Sequence, residues 1–199
     1  LIFYHFTTAV GAREIVRTSE IQLGRLPAFE KELSARSGVS LTTSDQPDGH
    51  GLPDGRKVSD QEFQYLLKNA PANFALDPDG NGGYFCVDHT EVRLEIDIPD
   101  ALWGEYRVKR VIDSYDPIQL LAMDVTAHFP LGVYSDEEML ETIESLHTGR
   151  LVAKSPTWWW SEKAIPISMI KTAAIKFQGQ YQVLLAEEFI AEVRASLAD

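Results

Sequence analysis

Cysteine is nearly missing. Cys86 is the single one in 199 residues, so no internal disulfide can form. That fits a reducing compartment, and the expected location is a cytoplasm, either the cell's own or one entered as an effector. Basic residues are scarce too. Eighteen Lys and Arg face thirty Asp and Glu, for a formal net charge of −12. A field of that sign repels phosphate backbones and disfavours a large nucleic-acid footprint. Arg93, Arg107, Lys109 and Arg110 are the candidates for a local basic groove, with solvated strand faces the preferred reading. No apolar run is long enough to span a bilayer, so no membrane partner is expected. The opening LIFYHFTT lacks the basic start and small-residue cleavage site of a secretory signal. His50, His89, His128 and His147 have no metal-ligand spacing to a second His or Cys, so no metal site is indicated there. HGLPDG lacks the Gly-Lys-Ser/Thr ending of a phosphate loop. No dinucleotide fingerprint follows a strand, and no nucleophile elbow supports a hydrolase triad. Cys86 lies in an apolar strand and reads as packing.

Against these absences, 44% of the residues are hydrophobic and 10% aromatic. That is enough for one globular domain, residues 1–199, with a sizeable core. IFYHFT reads as a buried strand. Thr7 or Thr8 can cap a following helix, with Val10, Ile15 and Val16 inward and an end near Thr18. EIQLG reads as a short strand. Gly38 opens GVSLTT, where Val39, Leu41 and Thr43 alternate with Ser40 and Thr42. DQPDGHGLPDGRK is a loop, longer than an ordinary connection, and the stretch from Ser44 to Lys57 could cover an acceptor site. SDQEFQYLLKN has a Ser cap with Glu62 at the capping-box position. GYFCV and VRLEIDI read as strands. DPIQLLAMDV is a helix with Pro117 at its first position. SDEEMLETIESLHTG runs from a Ser135 cap to Gly149. TWWWSE and KTAAIKF are strands around a turn-like AIPISMI, and LLAEEFIAEVRASL is an amphipathic helix. The order implies an α+β fold with a largely antiparallel core.

DPDGNGGYFCVD places Asp77, Asp79, Asn81, Gly82 and Asp88 at the spacing of a calcium loop. Position twelve is the shorter Asp, and a strand rather than a helix follows. A plain Asp-Gly turn is the preferred reading.

FYHFTT carries more chemistry. A histidine on an apolar strand needs a hydrogen-bond partner, and alone His5 reads as a satisfied core residue. Thr7 points to the same face, and two polar groups on one apolar strand suggest a ligand. FYHFTTAVGAREIVRTSEIQLG resembles the opening of the diphtheria-toxin-like ADP-ribosyltransferases, which include the poly(ADP-ribose) polymerases. GVSLTT resembles their second motif, Gly-hydrophobic-Tyr-hydrophobic-small. WSEKAIPISMI resembles their third, a glutamate followed by a hydrophobic turn. The three patches occur in the family's order.

The resemblance implies split, mostly antiparallel sheets with flanking helices, enclosing a cleft for NAD. It implies mono-ADP-ribosyl transfer from NAD to an unidentified macromolecule, in the manner of bacterial or phage toxins and defence effectors. Glu162 would bind the ribose 2′-hydroxyl and stabilise the positive charge that grows as nicotinamide leaves. His5 would orient a ribose, while the peptide group of Phe6 and Thr7 would hold nicotinamide. Ser40 stands where the family has a stacking tyrosine. Phe85, Tyr84 or a tryptophan could fill that place, and Trp158 and Trp160 share one strand face. Water as acceptor (an NAD glycohydrolase) and a catalytically silent binding module of the same fold remain open. An RNA phosphotransferase would need basic residues around phosphates, which the acidic balance argues against.

Overall fold

A computed structural model describes residues 1–25, 37–69 and 76–198. In chain order it begins β1 (Ile2–Thr7), α1 (Ala9–Thr18), β2 (Glu20–Ile21), β3 (Gly24–Arg25), β4 (Ser37–Thr42) and α2 (Asp60–Asn69). Next come β5 (Leu76–Pro78), β6 (Tyr84–Cys86), β7 (Val92–Asp97), α3 (Trp103–Tyr106), β8 (Val108–Arg110), α4 (Pro117–Thr126) and α5 (Asp136–His147). The chain finishes with β9 (Trp158–Ser161), β10 (Ile165–Pro166), β11 (Ile170–Phe177), β12 (Gln180–Leu185) and α6 (Ala186–Ala198). The fold is α+β. No helix among the described residues is long and apolar enough to cross a membrane. The chain divides into two compact units, one of residues 1–46, 91–116 and 155–199, the other of residues 47–90 and 117–154.

The first unit is built on one antiparallel sheet in the order β12-β11-β7-β1-β4-β9-β8, with β3 also paired to β4. Alternation explains its core. Val92, Leu94 and Ile96 are buried while Arg93, Glu95 and Asp97 are only half-buried, the signature of a strand with one covered face. Phe3, Val39, Leu41 and Ala173 join them, and Ala12, Ile15 and Val16 of α1 and Phe189 of α6 cover that face. Val10, expected inward, is 73% exposed. The stripe turns through Ala12 instead, because Ala12, Ile15 and Val16 lie three and four residues apart. Thr8 is the helix cap, its Oγ1 accepting from Gly11 N–H at 2.9 Å. EIQLG divides into β2 and the first residue of β3. The two leucines read as a helix start, Leu184 and Leu185, instead end β12.

The second unit has a small core of Val58, Leu66, Cys86 and Leu131, with Phe63 and Leu76 packed on it. Its helix starts follow the expected chemistry. Glu62 accepts from Ser59 N–H at 2.9 Å, and Glu138 closes a full capping box with Ser135. In the calcium-like stretch, Asp79 Oδ1 accepts from the N–H groups of Asn81 and Gly83, each at 2.8 Å. Its Oδ2 pairs with Lys57 at 2.7 Å. Asp88 Oδ1 accepts from Thr90 N–H at 2.7 Å. These carboxylates fold the turn on itself. Among the described residues no group of three or more His, Cys, Asp or Glu is arranged to hold a metal ion.

Candidate functional site

His5, Phe6, Thr7, Ser40, Trp158, Trp160 and Glu162 all fall in the first unit. β1 is an interior strand, but its two neighbours treat it differently. β7 follows it through six pairs, from Ile2↔Asp97 to Thr7↔Val92. β4 meets it at one pair, Tyr4↔Thr42. Past Tyr4 a side chain replaces the ladder: His5 Nδ1 lies 2.9 Å from the carbonyl oxygen of Ser40. A carbonyl only accepts, so Nδ1 is the donor. The neutral ring then carries its lone pair on Nε2, ready to accept a proton from a hydroxyl. Burial pushes the His5 pKa down and so favours that neutral form, with the Ser40 hydrogen bond opposing it.

Thr7 follows on the same face. A Cβ placed on Gly11 would stand 2.2 Å from Thr7 Oγ1, so the threonine side chain occupies the space glycine leaves at the start of α1. Glu91 Oε2 accepts from Ala9 N–H at 2.6 Å and brings negative charge to the same helix start. Phe6 sits opposite Arg93 on the other face. There the Arg93 guanidinium lies 5.3 Å from the centroid of the Tyr4 ring and 4.9 Å from that of Tyr181.

Glu162 is placed by β8 and β9. The register Val108↔Ser161 and Lys109↔Trp160 brings a basic edge strand alongside the end of the tryptophan strand. Arg107 Nη1 donates to Glu162 Oε2 at 3.2 Å, and Lys109 Nζ donates to Oε1. Lys109 first, then Arg107, pull the carboxyl below its ordinary range. The fully buried Ser161 fixes the backbone around this cluster. Its hydroxyl lies 2.8 Å from the Tyr106 carbonyl and 2.7 Å from that of Lys163, and accepts from Lys163 N–H at 3.3 Å. Ser161, Arg107 and Lys109 are the site residues that sequence reading missed as such. Each acts through strand register, and the only sequence signal was a short basic run.

The pleat sorts the rest. Trp159 lies on the core face, edge-on to Phe3 at 5.4 Å and to Trp103 at 5.4 Å. Ser40 and Trp160 form a cross-strand pair on the opposite face, as do Thr42 and Trp158. Ser40 is exposed, whereas Trp160 is buried edge-to-face with Tyr115. The Trp160 indole N–H has no hydrogen-bond acceptor among the described residues. The structure thus joins His5 to Ser40, and Ser40 to Trp160 through the β4–β9 ladder. It joins Glu162 to Arg107 and Lys109. His5 and Thr7 leave the sheet on the core side, and Glu162 follows the Trp160 side. Tyr84 and Phe85, two of the suggested stacking aromatics, belong to the second unit. Comparison with protein-family models, with curated proteins and with solved structures gives no match.

Proposed function

We propose that the first unit binds NAD across the opening between β1 and β4 and transfers its ADP-ribose to a macromolecular acceptor. The observation that carries the reading is the His5–Ser40 link. It fixes the imidazole through Nδ1 at the end of a broken ladder, and the neutral ring so held can take a ribose hydroxyl on Nε2. In the reaction the bond between ribose C1′ and the nicotinamide nitrogen breaks, and its electron pair leaves with neutral nicotinamide. A lone pair of the acceptor forms the new bond to C1′, and the acceptor's proton passes to solvent. Positive charge on the ribose peaks between these events, and a carboxylate beside it lowers the barrier. Glu162 is the carboxylate assigned to that task, with Thr7 on the nicotinamide and Trp158 as the stacking surface. The residues suit NAD in kind: the unit carries hydroxyl-binding, charge-stabilising and aromatic groups on β1, β4 and β9.

A second reading, a binding module without turnover, is favoured by one specific observation. The Glu162 carboxylate is engaged by two cations, while exposed Ser40 offers no ring to nicotinamide. Incubation with nicotinamide-labelled and adenylate-labelled NAD plus cell lysate separates the readings. Transfer gives nicotinamide release together with labelled macromolecule, and both signals collapse in Glu162→Gln. Release without label means that water is the acceptor. No release with enzyme in excess, alongside measurable NAD binding, means a silent module.

A further inference from the structure

Glu162 brings one negative charge to a cluster with two cations, Arg107 and Lys109. The cluster therefore has a surplus positive charge in a chain of net charge −12. Two features show that it is specifically positioned. Arg107 closes α3 with φ at +52°, a left-handed position where glycine is the least strained residue. An arginine is held there and its guanidinium lands on Glu162. Ser161 then ties the Tyr106 and Lys163 backbones, one residue before Arg107 and one after Glu162. The cluster is also reachable from solvent, with side-chain exposures of 62% for Arg107, 48% for Lys109 and 29% for Glu162.

A carboxylate clamped by two cations is a poor stabiliser of a growing positive charge, because their fields oppose its own. We infer that Arg107 and Lys109 form a diphosphate-binding pair that exchanges partners, holding Glu162 in the free protein and a nucleoside-diphosphate group in the complex. The inference rests on the NAD reading and deepens it, since the substrate's own diphosphate then unmasks the carboxylate. No covalent bond changes in the exchange. A guanidinium fork and an ammonium group both suit phosphate oxygens, and a diphosphate diester offers about two negative charges where the carboxylate offers one. The device selects ligands: a nicotinamide riboside, lacking diphosphate, leaves Glu162 clamped.

Calorimetry on the full chain tests it, with ADP-ribose and adenosine as probes, for wild type, Arg107→Gln, Lys109→Gln and the double variant. Each single substitution is expected to weaken ADP-ribose binding roughly tenfold, the loss of one charge-assisted hydrogen bond, and to leave adenosine unaffected. In parallel, carboxyl-carbon NMR follows Glu162 as inorganic pyrophosphate is added. Saturation is expected to move its titration midpoint up toward the ordinary glutamate range. ADP-ribose affinity unchanged in the double variant overturns the exchange. So does a Glu162 titration unmoved by saturating pyrophosphate, or a wild-type chain that binds neither probe phosphate. The two proposals fail separately. Pair-dependent ADP-ribose binding without NAD cleavage removes the transfer reading and keeps the exchange. NAD cleavage at wild-type rate by the double variant does the reverse.

Discussion

His5 and Glu162 are the two residues assigned to chemistry, and opposite forces hold them. His5 is half-buried and bound to a backbone carbonyl, so its orientation depends on where β4 runs. Glu162 stands at the end of β9, held by two exposed cations. Backbone geometry is indifferent to salt and costly to disturb. Surface charge is screened by salt and contributes little to stability. One residue is therefore built to stay and the other to change partners. Any perturbation should separate them along that line.

The largest separation is expected in turnover. Glu162→Gln keeps size and removes charge, so nicotinamide release from NAD should fall about 100-fold or more, as when one transition-state electrostatic contact is lost. Its unfolding free energy should change by no more than about 1 kcal/mol, the range of exposed ion pairs. A variant that unfolds easily yet turns over normally would invert the assignment and make Glu162 a structural residue.

Next comes the wall behind His5. Gly11→Ala forces a Cβ to within 2.2 Å of Thr7 Oγ1. Overpacking of that kind should destabilise the protein by about 1–3 kcal/mol in denaturant unfolding. Adding Thr7→Ala removes the obstructing hydroxyl and should recover most of the loss. The coupling between the two changes is the informative number, because independent sites would simply add.

His5→Ala is expected to cost about 1 kcal/mol, leaving the Ser40 carbonyl without its donor. The pH dependence carries a sign. The folded pKa of His5 lies below the ordinary 6.5, so the unfolded chain binds the extra proton more readily. His5 therefore contributes fully above pH 6.5, and its contribution is lost as pH falls through the folded pKa. His128 is also shifted down by burial. The measurement is thus the difference between wild type and His5→Ala, whose stabilities should converge as the pH is lowered below 6.5.

Much of this arrangement was legible in the sequence because it depends on local rules. The Val39–Leu41 alternation, the Ser59 and Ser135 caps and the strand around His5 all follow from neighbours within four residues. What escaped is long-range. The Glu162 clamp joins residues 55 and 53 positions apart, through β8, a three-residue basic strand that reads as a solvated face. The His5–Ser40 bond spans 35 positions and ends on a backbone oxygen, which side-chain identity cannot reveal. Val10 was assigned inward because Ala12 carries almost no hydrophobic signal, although it is the residue that completes the buried stripe. β12 merged with α6 since its last leucines match the helical period that follows.

Salt gives the smallest and cleanest separation. Lys109 and Arg107 hold the Glu162 carboxyl below its ordinary pKa of 4.5, so the clamp stabilises above that pH and is lost as pH falls through the folded value. Ionic strength acts on this interaction and hardly on a hydrogen bond to a carbonyl. Raising salt from about 0.01 M to about 1 M shortens the screening length from roughly 30 Å to roughly 3 Å. The Glu162 midpoint, followed by carboxyl-carbon NMR, should then rise toward 4.5. The His5 ring signals should titrate at the same pH in both salts, because its shift comes from burial and a backbone oxygen. A His5 midpoint that moved with Glu162 would mean that the imidazole lies in the same field as the Arg107–Lys109 pair. The two residues would then be one electrostatic unit, and the opposition drawn between geometry and charge would be wrong.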